Sequence, residues 1–255
     1  MSKINKKPPD VRYVVPTTYA IDEDIQSMLN PLNLMHKIFF CPKYQIRNNI
    51  ILPNGYISKI VCLIVTVMYI LLFLYRVYYV QPLKTKQLIF VLIGSYYDFI
   101  AVLIGLLLNY FVNLLDSRRN ITIVLKIQDL HRFLNEKVNF NRFVVLNWIS
   151  IIIASFFYFI IIVVGKITLN QPNFEFICGF AFLRFDVNII YITRFIKLLS
   201  IKMDLWINQA WDIRQMDLDL IDSYCKRMFQ AYANILNIYD LLKASYQQLV
   251  SQLFV

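Results

Sequence analysis

Four long runs of apolar residues divide the chain into apolar and polar parts. They cover residues 57–80, 88–115, 143–164 and 176–199. Each run reaches the roughly 20 residues that an α-helix needs to cross the hydrocarbon core of a bilayer. The fourth run differs from the others because it contains four charged residues, Arg184, Asp186, Arg194 and Lys197. The pattern predicts four transmembrane helices within residues 57–199.

The polar parts predict helices outside the membrane. Residues 1–56 form a mixed, polar N-terminal segment with a weakly amphipathic stretch from Ile25 to Phe40, which we expect Pro31 to break. In residues 200–248, apolar positions from Ile221 onward recur at spacings of three and four, as in an amphipathic helix. Residues 249–255 turn apolar again, and we expect them to begin a fifth span that is cut short.

Composition supports a membrane protein. Apolar residues make up 58% of the 255 positions and charged residues 16%, against about 45–50% and about 25% in soluble domains. This balance argues against a disordered chain and against most water-soluble enzymes. The predicted fold class is an all-α polytopic membrane protein, with four transmembrane helices and a long cytoplasmic amphipathic helix.

The distribution of charge predicts the orientation. The net charge is +10, and eighteen of the 26 Lys and Arg residues lie in residues 1–56, 116–142 and 200–255. Basic residues collect in cytoplasmic segments, so we expect these parts on the cytoplasmic side of the membrane. No nucleic-acid-binding signature accompanies the positive charge, and we expect no nucleic acid partner.

Chemistry-bearing residues are sparse. The four cysteines form no C-x-x-C pair, and the two histidines, His36 and His131, lie in separate polar segments. No Gly-rich phosphate loop or hydrolase motif occurs. We therefore expect no enzyme activity, no metal site and no cofactor. A transporter fragment is disfavoured because no internal repeat is visible, whereas a four-span scaffold or regulatory subunit without ligand or pore remains an alternative.

Charged residues inside the predicted spans need a reason, because burying a charge in a membrane is costly. Counted from the outer ends of their spans, Asp98 and Arg184 lie at a similar depth of roughly 12–15 Å. The two side chains can pair if the second and fourth helices are neighbours. Such a pair is either the polar floor of a ligand pocket or an internal ion pair that only fixes helix packing.

Aromatic and polar residues near these charges complete two candidate sets. A small organic ligand favours an aromatic pocket with few polar groups, and the candidate ligand-binding residues are Arg76, Tyr96, Tyr97, Asp98, Tyr158, Arg184 and Asp186. The candidates for anchoring at the inner membrane surface are Arg194, Lys197, Lys202, Trp206 and Trp211. For the three basic members of this second set, contact with anionic lipid headgroups is the alternative.

Three passages resemble one family. They are Pro-Leu-Asn-Leu-Met-His-Lys-Ile-Phe-Phe-Cys-Pro-Lys-Tyr at residues 31–44 with Leu-Pro-Asn at 52–54, Ile-Gln-Asp-Leu-His-Arg-Phe at 127–133, and Tyr-Ala-Asn-Ile-Leu-Asn-Ile-Tyr-Asp-Leu-Leu at 232–242. Together with the four predicted spans and the inward N-terminus, they resemble the insect gustatory receptors, and most closely those of moths and butterflies.

The resemblance implies a seven-helix receptor that assembles, with like or different subunits, into a tetrameric ligand-gated cation channel. It implies a pocket for small tastants among the outer halves of the early helices, and the moth-like pattern slightly favours a receptor for bitter or plant compounds. In this family the seventh helix lines the pore and carries a Thr-Tyr-x5-Gln-Phe motif, which these 255 residues do not contain. The sequence therefore corresponds to the N-terminal, sensing and anchoring part of such a receptor.

Overall fold

The fold is mostly helical. A computed structural model describes residues 19–80, 89–115, 117–134, 137–169, 173–212 and 218–251. In these ranges the elements are α1 (Glu23–Ile38), β1 (Gln45–Arg47), β2 (Ile50–Leu52), α2 (Tyr56–Tyr75), α3 (Ile89–Leu115), α4 (Ser117–Leu134), α5 (Lys137–Leu169), α6 (Asn173–Asp212) and α7 (Leu218–Ser251).

Two segments of the described chain are long and apolar enough to cross a membrane, Tyr56–Tyr78 and Asn141–Thr168. A third is obtained if Phe99–Asn113 and Ser117–Leu134, which meet at an angle of 58°, count as one bent span. Only 22% of the apolar window of the first segment is buried within the fold, and none of that of the second. Large apolar surfaces that the protein does not cover are compatible with a membrane environment.

Pro31 does not break α1, so the expected interruption is wrong. Proline lacks the N–H that would bond to the carbonyl of Ser27. The residues around it are nevertheless in the core, with Met28, Leu29 and Leu32 at most 2% exposed. Packing of this apolar face offsets the missing hydrogen bond, and the helix continues to Ile38.

The C-terminus of α1 turns sharply into a short hairpin. The amide of Cys41 donates to the carbonyl of His36 at 2.9 Å, as in a Schellman motif. Phe40 occupies the left-handed position of this motif at φ 55°, where glycine is usual. Strands β1 and β2 then pair antiparallel, and their connecting residues Asn48 and Asn49 are also left-handed, at φ 49° and 60°. Two consecutive left-handed residues are typical of a type I′ hairpin turn.

The largest hydrophobic core joins α1, α4, α6 and α7. Each of these helices contributes a residue that is at most 1% exposed; in chain order they are Ile25, Ile123, Phe195 and Ile238. A smaller core joins α2, α3 and α6 through residues such as Phe73, Leu106 and Ala181. The apolar residues of α1, α4 and α7 therefore pack into a helical core beside the predicted spans.

The cytoplasmic segments predicted from the sequence are largely helical. Residues 116–142 contain α4 and the beginning of α5. Helix α6 runs past the predicted inner boundary at residue 199 to Asp212, and α7 carries the amphipathic pattern from Leu218 onward. Of the predicted fifth-span segment 249–255, residues 249–251 continue α7, and the rest lies outside the described residues.

Candidate functional site

A fully buried arginine lies at the centre of a polar cluster between α2, α3, α6 and the α1–β1 connection. Arg184 is 0% exposed. Its Nη1 donates to Thr66 Oγ1 at 2.8 Å, and its Nη2 lies 2.9 Å from Cys62 Sγ. Nη2 also lies 3.5 Å from the Phe40 carbonyl oxygen, so the left-handed turn after α1 brings a backbone acceptor to the guanidinium.

Within the described chain, the groups that contact the Arg184 guanidinium are neutral. The carboxylates described in ion pairs are Asp22, Asp24 and Asp222, and none of them pairs with Arg184. Its Nε is buried without a hydrogen-bond partner among the described residues. A buried cation that is only partly hydrogen-bonded is costly, which marks this position for a specific role.

Three asparagines join α3 to α6 next to Arg184. Asn109 Oδ1 accepts from Asn113 Nδ2 at 2.7 Å and from Asn188 Nδ2 at 3.0 Å. Asn109 Nδ2 donates to the Arg184 backbone carbonyl at 3.2 Å. Asn109 and Asn113 are four residues apart on α3, and Asn188 follows Arg184 by four residues on α6. This spacing places both side chains of each pair on one face of their helix.

The α1–β1 connection contributes a second cation. Lys43 is 5% exposed; its Nζ lies 3.5 Å from Asn113 Oδ1 and 5.0 Å from the centre of the Tyr191 ring. On the other side of this connection, His36 packs edge-on against Tyr191, with the ring centres 5.2 Å apart. His36 Nδ1 also lies 3.5 Å from Cys41 Sγ. The N-terminal segment therefore enters the same polar cluster as the apolar helices.

A small cavity of about 20 Å³ adjoins this cluster. Its lining includes Lys59, Cys62, Tyr110 and Asn113, and the Nδ2 of a further lining residue, Asn54, donates to the carbonyl of Pro42. This volume accommodates about one water molecule. The described cluster is thus packed too closely to hold an organic ligand in this conformation.

The partners of Arg184 lie toward the cytoplasmic side in the predicted orientation. Cys62 and Thr66 are in the first half of the first predicted span, which runs from inside to outside. Asn109 and Asn113 are near the end of the second, which runs back to the inside. The cluster therefore occupies the middle and inner part of the predicted bundle, whereas the resemblance places a tastant pocket in the outer part.

The predicted ligand-binding residues are dispersed in the structure. Tyr96 of α3 meets Tyr78, which lies in the π-helical turn after α2, with ring centres 5.8 Å apart. The neighbouring Tyr97 is 76% exposed. Tyr158 is half-buried and packs against the core formed by Met35, Leu183 and their neighbours.

The remaining ligand candidates are not joined to Arg184 by any described contact. Arg76 begins a π-helical turn, Arg76–Val80, that ends α2. Asp186 is half-buried. The side chain of Asp98 lies outside the described residues, so its expected pairing with Arg184 stays a prediction.

The residues expected to anchor the inner membrane surface divide into two groups. Lys202 is 2% exposed, with Nζ 3.1 Å from His131 Nδ1, so it faces α4 rather than a surface. Trp206 Nε1 donates to the Met228 carbonyl at 2.8 Å and joins α6 to α7. In contrast, Lys197 is exposed and Trp211 is 63% exposed.

Arg194 is half-buried between α6 and α5. Its Nε donates to Asn147 Oδ1 at 2.6 Å, and its guanidinium lies 4.7 Å from the centre of the Phe143 ring. Asn147 in turn donates to the Met28 carbonyl of α1 at 3.1 Å. Arg194 therefore takes part in packing α1, α5 and α6 together.

The neutral polar residues of the cluster are not among the site residues predicted from sequence. They are Thr66, Asn109, Asn113 and Asn188, and they lie within the predicted spans, where the predicted site residues are charged or aromatic. A signal was present, because Asn109 and Asn113, like Arg184 and Asn188, repeat at a spacing of four in otherwise apolar helices. Lys43 carried no such signal, because its described contacts are with Asn113 and Tyr191, which lie far along the chain.

Among the described residues, no group of three or more His, Cys, Asp or Glu side chains is arranged to hold a metal ion. In comparisons with known proteins, no family model, no curated protein and no solved structure matches this chain.

Proposed function

We propose that this chain is a chemosensory subunit of the insect gustatory receptor type, and that it belongs to a ligand-gated cation channel of the plasma membrane. In this proposal four helices cross the membrane, the N-terminus is cytoplasmic, and small tastants bind among the outer halves of the spans. The complete channel is a homo- or heterotetramer, and its pore is formed by segments beyond those described.

The observation that carries the proposal is the complete burial of Arg184. It lies in a predicted span and is held by Thr66, Cys62 and the Phe40 carbonyl. Ionisable residues inside membrane proteins face the interior of the bundle and mark ligand, ion or coupling sites. The three passages that resemble gustatory receptors supply the class of ligand.

In this proposal the polar cluster couples the helices and is not the tastant pocket. It joins α2, α3, α6 and the N-terminal segment, and its cavity of about 20 Å³ excludes a tastant. A ligand that shifts the outer ends of α2 and α3, where Tyr78 meets Tyr96, would change the contacts at the other end of the same helices.

The experiment is a recording of tastant-dependent cation current from cells that express the longest reading frame containing this sequence. The panel contains sugars and bitter plant compounds, and an epitope tag verifies that the protein reaches the cell surface. We expect an inward current with at least one compound. Replacement of Tyr96 by Ala should raise the half-maximal concentration roughly tenfold, whereas Tyr239→Ala on the exposed face of α7 should leave it unchanged.

The second candidate function is a four-span scaffold or regulatory subunit without ligand or pore. The close packing of the described cluster favours this alternative, because a buried polar network between helices also serves to fix helix positions. Surface-expressed protein that gives no current with any compound, alone or with other receptor subunits, would contradict the receptor proposal and support the scaffold.

A further inference from the structure

A groove with a basic rim lies between the first turns of α5 and the C-terminal half of α6. It has a volume of about 460 Å³. Arg142 and Lys197 line it from opposite helices, and both are exposed. Asp204 is the acidic lining residue, while Phe143, Leu146 and Leu205 supply apolar walls.

A third cation stands beside this groove. Arg194 stacks on Phe143, one of the apolar walls, at 4.7 Å from the ring centre. Its Nη2 is buried and has no hydrogen-bond partner within the described part of the chain. A guanidinium nitrogen without an acceptor is an unsatisfied donor, and the positive charge of Arg194 adds to that of Arg142 and Lys197 at this end of the groove.

An apolar stripe leads from the groove along α5. Leu146 lines the groove, and Ile149, Ile153 and Phe157 follow at spacings of three and four, on the same side of the helix. These four side chains are 39%, 43%, 62% and 60% exposed. The groove therefore has a cationic end, and a continuous apolar surface extends away from it.

In the N-inside orientation of the proposed function, the cationic end lies at the inner membrane surface and the stripe in the hydrocarbon. We propose that this groove binds the headgroup of an anionic phospholipid from the cytoplasmic leaflet, with its acyl chains along the stripe. Arg142 and Lys197 provide the attraction, and Asp204 weakens it. This lipid site depends on the membrane orientation of the proposed function but not on tastant binding, so a failure to find a tastant would not affect it.

The test uses the full chain, purified in detergent, with native mass spectrometry to count bound lipids. Phosphatidylserine is compared with phosphatidylcholine of the same acyl chains. Each Lys or Arg near a membrane surface contributes about 1 kcal/mol to binding anionic lipid. We therefore expect Arg142→Gln with Lys197→Gln to weaken phosphatidylserine binding roughly 30-fold and to leave phosphatidylcholine binding unchanged.

The control removes the same charge elsewhere. Arg118 and Lys243 are exposed on α4 and α7, and the pair Arg118→Gln with Lys243→Gln should change phosphatidylserine binding by less than about threefold, a difference typical of nonspecific charge at a distance. An equal loss in both double variants would overturn the proposal, because it would show that only net charge matters.

If the Arg142→Gln and Lys197→Gln double variant folds poorly, a variant that is expected to bind phosphatidylserine more tightly still tests the proposal. Asp204→Asn removes the carboxylate of the groove and should tighten phosphatidylserine binding about fivefold. No gain with folded Asp204→Asn protein contradicts the assignment. Inorganic phosphate and glycerophosphoserine, which lack acyl chains, should not displace the lipid at equal concentration; displacement by either would identify a small-anion site and overturn the lipid assignment.

Discussion

Arg184 of α6 donates through Nη1 to the hydroxyl of Thr66 of α2 at 2.8 Å, and both residues are at most 1% exposed. The same hydroxyl donates to the Cys62 carbonyl one turn earlier at 2.7 Å. The Thr66 hydroxyl therefore donates to a carbonyl of its own helix and accepts from a cation on another helix. The contact links the first and fourth predicted spans at a point that water does not reach.

Replacing Thr66 by Val should destabilise the fold. The change leaves the Arg184 Nη1 without its acceptor, and an unsatisfied buried donor costs about 1–3 kcal/mol. Thr168→Val is the matched control, because Thr168 also donates to the carbonyl four residues earlier at 2.7 Å but is exposed; its effect should stay within about 0.5 kcal/mol. The free energy of unfolding in mixed micelles measures both, and equal effects would contradict the role of Thr66.

The asparagine cluster should show energetic coupling between α3 and α6. A double-mutant cycle with Asn109→Ala and Asn188→Ala measures the interaction that the 3.0 Å hydrogen bond makes. Interhelical hydrogen bonds in membrane proteins couple by about 0.6 kcal/mol on average and up to about 1.7, and we expect a value in that range. The cycle of Asn188→Ala with Ser150→Ala should give no coupling, since the hydrogen bond described for the Ser150 hydroxyl is to the Leu146 carbonyl of its own helix, α5. Zero coupling for the first pair would refute the cluster.

Acid should weaken the attachment of α1 to α4. Asp22 accepts two hydrogen bonds from Arg132 at 2.7 and 2.8 Å, and the bond to Arg132 lowers the pKa of the Asp22 carboxyl. This stabilisation is present above the unfolded-state pKa of about 3.9 and is lost as the pH falls through the lower folded-state pKa. The side chains of Asp22 and Arg132 are 37% and 56% exposed, respectively. We therefore expect this ion pair to contribute only about 0.2–1 kcal/mol to the free energy of unfolding.

Asp22→Asn should remove this acid-dependent part of the unfolding free energy, measured at several pH values below about 5. Asp222→Asn is the control, because it breaks the exposed pair with Lys226 within α7, which is worth about 0.2–0.5 kcal/mol. An unchanged acid dependence in Asp22→Asn protein would show that the α1–α4 pair contributes nothing.

Mild acid should act through His131. Burial first, and then the nearby Lys202 ammonium, lower the pKa of His131, while Asp24, 3.8 Å away, opposes the shift. The unfolded state therefore binds the proton more readily, so stability is fully present above about pH 6.5 and declines as the pH falls below that value. Lys202→Met should make this decline shallower between about pH 7 and 5, whereas Lys243→Met on the exposed face of α7 should leave the slope unchanged. A steeper decline in Lys202→Met protein would contradict the sign.

Cysteine labelling should report the orientation. Cys225 on α7 is exposed, whereas Cys41, Cys62 and Cys178 are buried. With a cytoplasmic C-terminal region, a membrane-impermeant maleimide should label the protein only after the cells are permeabilised, and Cys225→Ser should abolish that labelling. Labelling of Cys225 on intact cells would reverse the proposed topology.

Much of the helical architecture could be predicted from sequence. The helices α2 and α5 are apolar over lengths that fit a bilayer, and composition alone identifies such segments. The amphipathic spacing of α7 was also sufficient to predict a helix. Pro31 was misjudged because a local helix-breaking tendency was weighed without the burial of its neighbours Met28 and Leu32.

The candidate site was predicted only in part. Arg184 was identified as a candidate ligand-binding residue because a charge in an apolar run needs a reason; the structure buries it among neutral groups, and its ligand-binding role stays a prediction. Its partners Thr66 and Phe40 are more than a hundred residues away, and no local pattern relates positions that tertiary packing brings together. Lys202 was expected at the membrane surface because charge patterns report the average environment of a segment and not the direction of one side chain.

The position of α1 has a consequence for biosynthesis. Its contacts are with partners synthesised much later: Asp22 meets Arg132 110 residues on, Met28 meets Asn147 119 residues on, and Phe40 meets Arg184 144 residues on. At about 5–20 residues per second, the ribosome needs on the order of ten seconds to supply them. During that time the apolar face of α1, which includes Ile25, Met28 and Leu32, lacks the partners that bury it in the folded chain.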